Sequence, residues 1–89
     1  MTITQYLPDL QQYKEESGCV DCGVLYPHYV LEFDHRPGHK KVGNVYRVLK
    51  KYGPEKAWDE VAKCDVVCSN CHKIRSYGRE QELIKKIAS

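Results

Sequence analysis

Apolar and polar residues follow two different periods along this chain, and the periods predict strands and helices in different segments. Residues 29–34, Tyr-Val-Leu-Glu-Phe-Asp, alternate with a period of two and are rich in β-prone side chains, which is typical of a strand. We expect this strand to end at Asp34-His35. Residues 65–68, Asp-Val-Val-Cys, have the same character but are too short to be stable alone, so they predict a second strand paired with the first.

Helices are predicted on either side of the first strand from their start and stop signals. Pro8 suits the first position of a helix and Gly18 suits its end, so a short helix is expected over about 8–17. Further along, Asn44 can cap a second helix, whose apolar residues recur at helical spacing up to Gly53. The first strand therefore lies between two helices in chain order.

Two more helical segments are expected in the second half of the chain. Pro54 can open a helix whose inward-facing residues are Ala57, Trp58 and Val61. Ser69 can cap a last helix, and we expect Gly78 to interrupt it before helix resumes towards the end of the chain. Short helices around one pair of strands indicate an α+β fold.

The composition is that of an ordinary soluble protein. The chain has 89 residues, of which 42% are hydrophobic, a mean hydropathy of −0.62 and a formal net charge of +2, which excludes a disordered tail. No apolar run approaches the roughly 18–20 residues of a membrane span, and the first residues lack the basic and apolar regions of a signal peptide. We therefore expect one domain over residues 1–89, in the cytoplasm and with no membrane partner.

Five cysteines are the strongest chemical signal in the sequence. Cys19 and Cys22 form one C-x2-C pair, Cys68 and Cys71 form another, and Cys64 lies outside both. In a reducing compartment thiolates favour metal binding over disulfides, and two such pairs supply a complete tetrahedral Zn²⁺ shell. The alternative is that the paired cysteines are small buried hydrophobic residues. For Cys64, next to an apolar segment, a core thiol is the favoured interpretation.

Zinc bound by both pairs would bring an acid and two histidines towards one point. The metal would hold the end of the first strand, with Asp34 and His35, close to the start of the helix that carries His72. The Asp34 oxygen and the His72 nitrogen suit a divalent ion, while His35, as neutral imidazole, suits proton removal from water. The arrangement favours metal-assisted phosphodiester hydrolysis. Alternatively, Asp34-His35 is only a turn dipeptide.

Two segments of the chain together resemble the HNH nuclease family. They are Leu31-Glu-Phe-Asp-His35 and the segment from Cys64 to Arg75, Cys-Asp-Val-Val-Cys-Ser-Asn-Cys-His-Lys-Ile-Arg. Within it, the chain is similar to phage proteins of the endonuclease VII type, over about residues 19–75. The resemblance implies a small α+β fold of the ββα-metal type, stapled by a zinc site of four cysteines and flanked by short helices. It also implies DNA as substrate, a phage origin in the host cytoplasm and a phage packaging complex as a further partner.

The resemblance also implies a role for each residue of the motif. It implies structural zinc ligands at Cys19, Cys22, Cys68 and Cys71. It implies that Asp34 and His72 bind a catalytic Mg²⁺, Mn²⁺ or Ni²⁺ ion and that His35 is the general base. The chain departs from the commoner family pattern at Lys63, where an Asn is usual. Asn70 is then a candidate for the orienting role of that Asn, although it equally suits a tight turn between the cysteines.

Basic residues are concentrated on one part of the sequence. Six of them and no acid lie between Arg36 and Pro54, whereas residues 55–65 carry four acids. A smaller basic cluster on the last helix includes Arg79. The residues predicted to contact DNA are Arg36, Lys40, Lys41, Arg47, Lys50, Lys51, Lys73 and Arg75. Because the net charge is small, binding should depend on this patch and fall steeply with salt. The alternative is a solvated helix face.

Two functions of different classes follow from these features. The first is a divalent-metal-dependent DNA endonuclease that nicks or cuts with little sequence readout, since no recognition helix is evident. The alternative is a non-catalytic zinc-ribbon module that binds nucleic acid or an assembly. Asp34, His35 and His72 discriminate between them, because a binding module has no need of all three. The sequence leaves open whether the protein is a monomer or a homodimer.

Overall fold

The computed structural model describes residues 6–88, which form four α-helices and one two-stranded antiparallel sheet. In chain order these are α1 (Leu7–Ser17), β1 (Leu31–His35), α2 (Val45–Tyr52), α3 (Pro54–Val61), β2 (Cys64–Cys68) and α4 (Ser69–Ala88). The predicted small α+β fold is confirmed at this level. Among the described residues, no helix is both long enough and apolar enough to cross a membrane.

The sheet has the strand pairing that the sequence predicts, with one shift at its beginning. Leu31 lies opposite Cys68, and His35 lies opposite Cys64. The strand predicted to start at Tyr29 instead follows a single 3-10 turn over His28–Val30, which comes directly after Pro27. Because the strands are antiparallel, the start of β1 lies beside the start of α4, and the end of β1 lies beside the α3–β2 connection.

Two apolar clusters make up the core. The first joins α1, α2, α3 and β2, and consists of Leu10, Val45, Leu49, Ala57, Val61 and Cys64. The second surrounds the sheet and the first cysteine pair, and consists of Cys19, Leu31, Val66, Val67 and Cys68. Phe33 packs against both clusters. The sheet is thereby fixed between the helical half of the molecule and the cysteines.

The two central helices begin where the sequence predicts, and the first of them also ends there. The side chain of Asn44 accepts a hydrogen bond of 2.9 Å from the backbone N–H of Tyr46, which satisfies one of the free donors at the start of α2. Gly53 ends α2 with a φ of 95°, a conformation that strains residues with a Cβ. Pro54 follows at the first position of α3. One glycine thus separates two helices that pack against each other.

The predicted break at Gly78 is wrong, because α4 is continuous from Ser69 to Ala88. Glycine in a helix costs roughly 1 kcal/mol relative to alanine but keeps its backbone hydrogen bond. Arg75 and Arg79, one turn apart on either side of Gly78, both bind Asp34 of β1. These contacts fix the helix against the sheet at the glycine.

The predicted inward position of Trp58 is also wrong. The buried residues of α3 are Ala57, Glu60 and Val61, whereas Trp58 is 38% exposed. Trp58 packs with its edge against Tyr13 at the rim of the core, with ring centroids 5.6 Å apart. Ala57 and Val61 are one turn apart and share a face of α3 with Glu60. Trp58 therefore lies to one side of that face.

Helix α1 buries a lysine that the apolar pattern does not predict. Lys14 is 5% exposed, and its Nζ donates to the Leu31 carbonyl at 3.1 Å and to the Tyr46 hydroxyl at 2.6 Å. It also lies 5.5 Å from the centroid of the Phe33 ring. A buried ammonium is tolerated only where such acceptors replace water. Lys14 therefore ties α1 to both β1 and α2.

Candidate metal centre and the adjoining histidine cleft

Four cysteines converge at the junction of α1, β2 and α4. Cys19 and Cys22 lie in the turn after α1, Cys68 ends β2, and Cys71 lies in the first turn of α4. Their sulfur atoms lie within 4.8 Å of one another. In each pair the backbone N–H of the second cysteine points at the first sulfur, at 3.5 Å from Cys19 Sγ and 3.4 Å from Cys68 Sγ. This cluster can bind a metal ion such as zinc, as the spacing predicts.

The sulfur atoms of the cluster shift one another's pKa values. A side-chain hydrogen bond with Cys68, together with burial and the other sulfurs, raises the pKa of the Cys71 thiol to about 12. Burial also tends to raise the pKa of Cys19, but backbone hydrogen bonds at Cys22, Cys68 and Asp21 outweigh it and lower that pKa to about 6. Four thiolates this close repel one another unless a cation neutralises them, and four thiolates are a closed, structural donor set for Zn²⁺.

Cys64 lies apart from this cluster, as predicted for a core thiol. It is 6% exposed, and its Sγ donates to the Glu60 carbonyl at 3.3 Å. Burial, followed by the negative charges of Glu60 and Asp34, raises the pKa of Cys64 to about 11. Cys64 is therefore a protonated core residue at neutral pH.

His35 and His72 line one cleft of about 260 Å³, which we call the histidine cleft. His35 is the last residue of β1, and His72 lies in the first turn of α4. Both imidazoles line the same cavity, although His35 lies at the end of β1 that is away from the start of α4. Other residues that line it include Glu32, Lys41, Asn44 and Tyr46. Asp34, which the sequence groups with them, does not line this cleft.

His72 connects the cleft to Asp34. Its Nδ1 lies 2.7 Å from Glu32 Oε1, and its Nε2 lies 3.4 Å from Asp34 Oδ1. A carboxylate on one ring nitrogen fixes the tautomer and directs the other nitrogen, as second partners of metal-bound histidines do. Glu32 is not among the residues predicted from the sequence, although its position two residues before Asp34 puts both on one face of β1.

His35 has a different carboxylate partner. Its Nε2 lies 2.7 Å from Glu60 Oε2, and the imidazole side chain is 14% exposed. Successive side chains of a strand point to opposite faces. His35 therefore turns towards α3, while Asp34 turns towards α4.

Asp34 is buried and bound by two arginines. Arg79 donates to its Oδ1 at 2.9 Å and to its Oδ2 at 2.8 Å, and Arg75 donates to Oδ2 at 2.9 Å. Burial tends to raise the pKa of Asp34, but these hydrogen bonds and the positive charges outweigh it and lower the pKa to about 2. The donor types of Asp34 and His72 suit a divalent ion, but both Asp34 oxygens already have cationic partners. In the described part of the chain, the four cysteines are the single group of three or more metal-binding side chains that converges.

Arg75 joins the first cysteine pair to both strands. It makes two bonds with Asp21, of 2.6 and 2.7 Å, and one of 3.0 Å with Asp65, in addition to its bond with Asp34. Asp34 and Asp65 face each other across the sheet, where like charges are destabilising. Arg75 offsets that repulsion. The donors of Arg75 already bind three carboxylates, so a contact with DNA would have to compete with these bonds. The predicted contact of Arg75 with DNA stays a prediction.

Replacing Arg75 with Ala should therefore destabilise the fold by about 2 kcal/mol, because it leaves partly buried carboxylates unpaired. Chemical denaturation of the zinc-loaded protein measures this loss, and Lys73→Ala, at an exposed position of the same helix, is the control. If Arg75 has a structural role, the salt dependence of DNA binding should be unchanged in Arg75→Ala. Unchanged stability with a weaker salt dependence would instead identify Arg75 as a phosphate ligand.

Arg36 also binds the protein itself. Its guanidinium donates to the carbonyls of Cys64, at 2.9 Å, and of Ala62, and lies 3.4 Å from Asp65. These contacts close the α3–β2 connection against the end of β1. The predicted role of Arg36 in DNA binding stays a prediction.

The remaining predicted DNA contacts lie at the surface. Exposed positions are occupied by Lys40, Lys41, Arg47, Lys50, Lys51 and Lys73. A second cavity of about 640 Å³, which we call the basic groove, is lined by Lys41, Asn44, Arg47 and Lys51 among others. Lys41 and Asn44 line both the basic groove and the histidine cleft. The groove therefore adjoins the cleft.

Asn70 is exposed in the first turn of α4, and with Glu32 and His72 it lines a neighbouring surface cavity. The described contact of the His35 ring is with Glu60 instead. The orienting role of Asn70 stays a prediction. Comparison with protein-family models, curated proteins and solved structures finds no match.

Proposed function

We propose that this protein is a divalent-metal-dependent DNA endonuclease with a ββα-metal site of the HNH type. The observation that carries the proposal is the histidine cleft, where two imidazoles from different elements each have a carboxylate on one ring nitrogen. Two histidines with a purely structural role would not need a carboxylate at one ring nitrogen. A general base and a metal ligand both need one, because it fixes which ring nitrogen carries the proton. The resemblance of the sequence to HNH nucleases supports the same assignment.

Asp34, which lies beside the cleft, and the two histidines have distinct tasks in this reaction. Asp34 and His72 would hold the catalytic Mg²⁺, Mn²⁺ or Ni²⁺ ion, and that ion would neutralise the charge that develops on the phosphate. His35 takes a proton from the attacking water, whose oxygen forms the new bond to phosphorus. The bond from phosphorus to the leaving sugar oxygen breaks, and that oxygen takes up a proton from solvent. Glu32 holds His72 so that its Nε2 faces Asp34.

The basic groove provides the site for the DNA backbone. Lys41, Arg47 and Lys51 line it without a carboxylate among the lining residues. Because Lys41 also lines the histidine cleft, a backbone bound along the groove leads one phosphate towards His35. Such contacts position DNA without reading its sequence.

Replacing Lys41 and Lys51 together with Ala should weaken binding to all DNA sequences alike. Each phosphate contact contributes about 0.9 to the slope of log affinity against log salt, so the slope should flatten by about two units. Fluorescence anisotropy over a range of salt concentrations measures the slope. Lys56→Ala with Lys85→Ala is the matched control, since it removes two exposed lysines outside the groove. A changed sequence preference with an unchanged slope would contradict the assignment.

A zinc-ribbon module that binds nucleic acid without chemistry is the second candidate. It is favoured by the contacts of Asp34, because Arg79 binds both of its oxygens and Arg75 also binds Oδ2. Calorimetric titration of Mn²⁺ into zinc-loaded protein separates the two functions. The nuclease predicts one Mn²⁺ site that His72→Ala weakens and Lys73→Ala leaves unchanged. Absence of any Mn²⁺ binding by the wild type would favour the binding module.

A further inference from the structure

We propose that Glu60 is the positioning residue that holds His35 as the general base. The inference rests on the proposed nuclease function and deepens it, since Glu60 belongs to neither set of expected metal ligands. It also gives Glu60 the orienting role for which the sequence offers Asn70 as a candidate.

The surroundings of Glu60 are those of a fixed, ionised carboxylate. Glu60 is 1% exposed on α3, and its Oε2 accepts from the backbone N–H of Val42 at 3.0 Å while also facing His35 Nε2 at 2.7 Å. Its Oε1 accepts from Lys63 Nζ at 2.9 Å. Burial tends to raise the pKa of Glu60, but the bonds from Lys63, His35 and backbone N–H groups outweigh it and lower the pKa to about 2.

An ionised carboxylate only accepts hydrogen bonds, and this property determines the tautomer of His35. The ring must carry its proton on Nε2 to donate to Glu60. Nδ1 of the neutral ring is then left with a lone pair, which is the atom that can remove a proton from water in the cleft. A carboxylate at the opposite nitrogen also holds the ring in one orientation, as in other acid–base pairs of this kind.

Glu60 also fixes the loop that supplies a cationic residue of the cleft. The bond from Val42 N–H places residue 42 beside α3, directly after Lys41. Lys63 Nζ, bound to Glu60, also donates to the Lys40 carbonyl at 2.8 Å. One buried carboxylate thus sets both the ring of His35 and the backbone that carries Lys41.

The test is Glu60→Gln, which keeps the size and one acceptor oxygen but removes the charge. We expect kcat for DNA cleavage to fall by about 10²-fold, because His35 is no longer held in one tautomer. KM should change less than about twofold, because the remaining amide oxygen can still accept from the Val42 N–H. Zinc content and Mn²⁺ affinity should stay at the wild-type values. Glu55→Gln, an exposed substitution on the same helix, is the matched control.

A second readout does not depend on activity. Nitrogen NMR of His35 at a pH where the ring is neutral should show a single tautomer with the proton on Nε2 in the wild type, and a mixture in Glu60→Gln. An unchanged kcat and tautomer in a folded Glu60→Gln protein would overturn the assignment. If Glu60→Gln does not fold, the wild-type tautomer decides, because a neutral His35 ring with its proton on Nδ1 would overturn the assignment. Wild-type protein that is inactive with all divalent ions overturns the nuclease function itself, whatever the tautomer.

Discussion

Replacing His35 with Ala is expected to lower the rate of DNA cleavage by about 10²–10⁴, the usual contribution of a general base. The imidazole lies at the edge of the sheet and is not part of either apolar cluster. The fold, the zinc and DNA binding should therefore stay close to wild type. Single-turnover cleavage with saturating protein measures the rate without interference from product release.

The metal-binding variants should behave differently from His35→Ala. In His72→Ala the divalent ion is expected to bind more weakly, so that activity partly recovers as Mn²⁺ is raised. His72→Asn should be milder, because an amide oxygen can still coordinate. Asp34→Ala should resemble His72→Ala in its Mn²⁺ dependence. Calorimetry in which His35→Ala abolishes Mn²⁺ binding while His72→Ala leaves it intact would contradict these assignments.

Loss of a single cysteine of the cluster is expected to release zinc and unfold much of the protein. In small zinc domains the metal contributes about 10–16 kcal/mol of apparent binding free energy, which is also folding free energy. Cys19 belongs to the apolar cluster around the sheet, so Cys19→Ser removes a metal ligand and core packing together. Elemental analysis of natively purified protein and denaturant unfolding measure the two effects.

Cys64→Ser is the control for this experiment. Cys64 is buried but lies outside the sulfur cluster, so the variant should keep one zinc per chain and lose only about 1–2 kcal/mol from a polar group placed in the core. Natively purified protein without zinc, or Cys19→Ser with wild-type stability, would defeat the zinc assignment.

Local signals in the sequence predict most of the fold. Asn44 and Gly53 bound α2 because capping and positive φ are properties of single residues. The cysteine cluster follows from two short spacings. Gly78 misleads because its cost within a helix is small, whereas the ion pairs of Arg75 and Arg79 with Asp34 depend on the folded arrangement. Tertiary contacts therefore outweigh propensity at that position.

The sequence predicts the chemical groups of the candidate site better than their partners. Asp34, His35 and His72 stand out by type and spacing, but their neighbours come from distant positions. Glu60 lies 25 residues from His35 along the chain and is one of several acids in its segment. A signal was present nonetheless, since Glu60 occupies the apolar face of α3, where a charged residue requires a partner.

Conversion of supercoiled plasmid by the zinc-loaded protein is the most direct test of the nuclease function. With Mg²⁺, Mn²⁺ or Ni²⁺ a nuclease should give relaxed or linear DNA, no conversion without added ion or with EDTA, and much slower conversion by His35→Ala. Plasmid that stays supercoiled with all three ions, while the same protein binds it in a gel-shift experiment, would contradict the nuclease function.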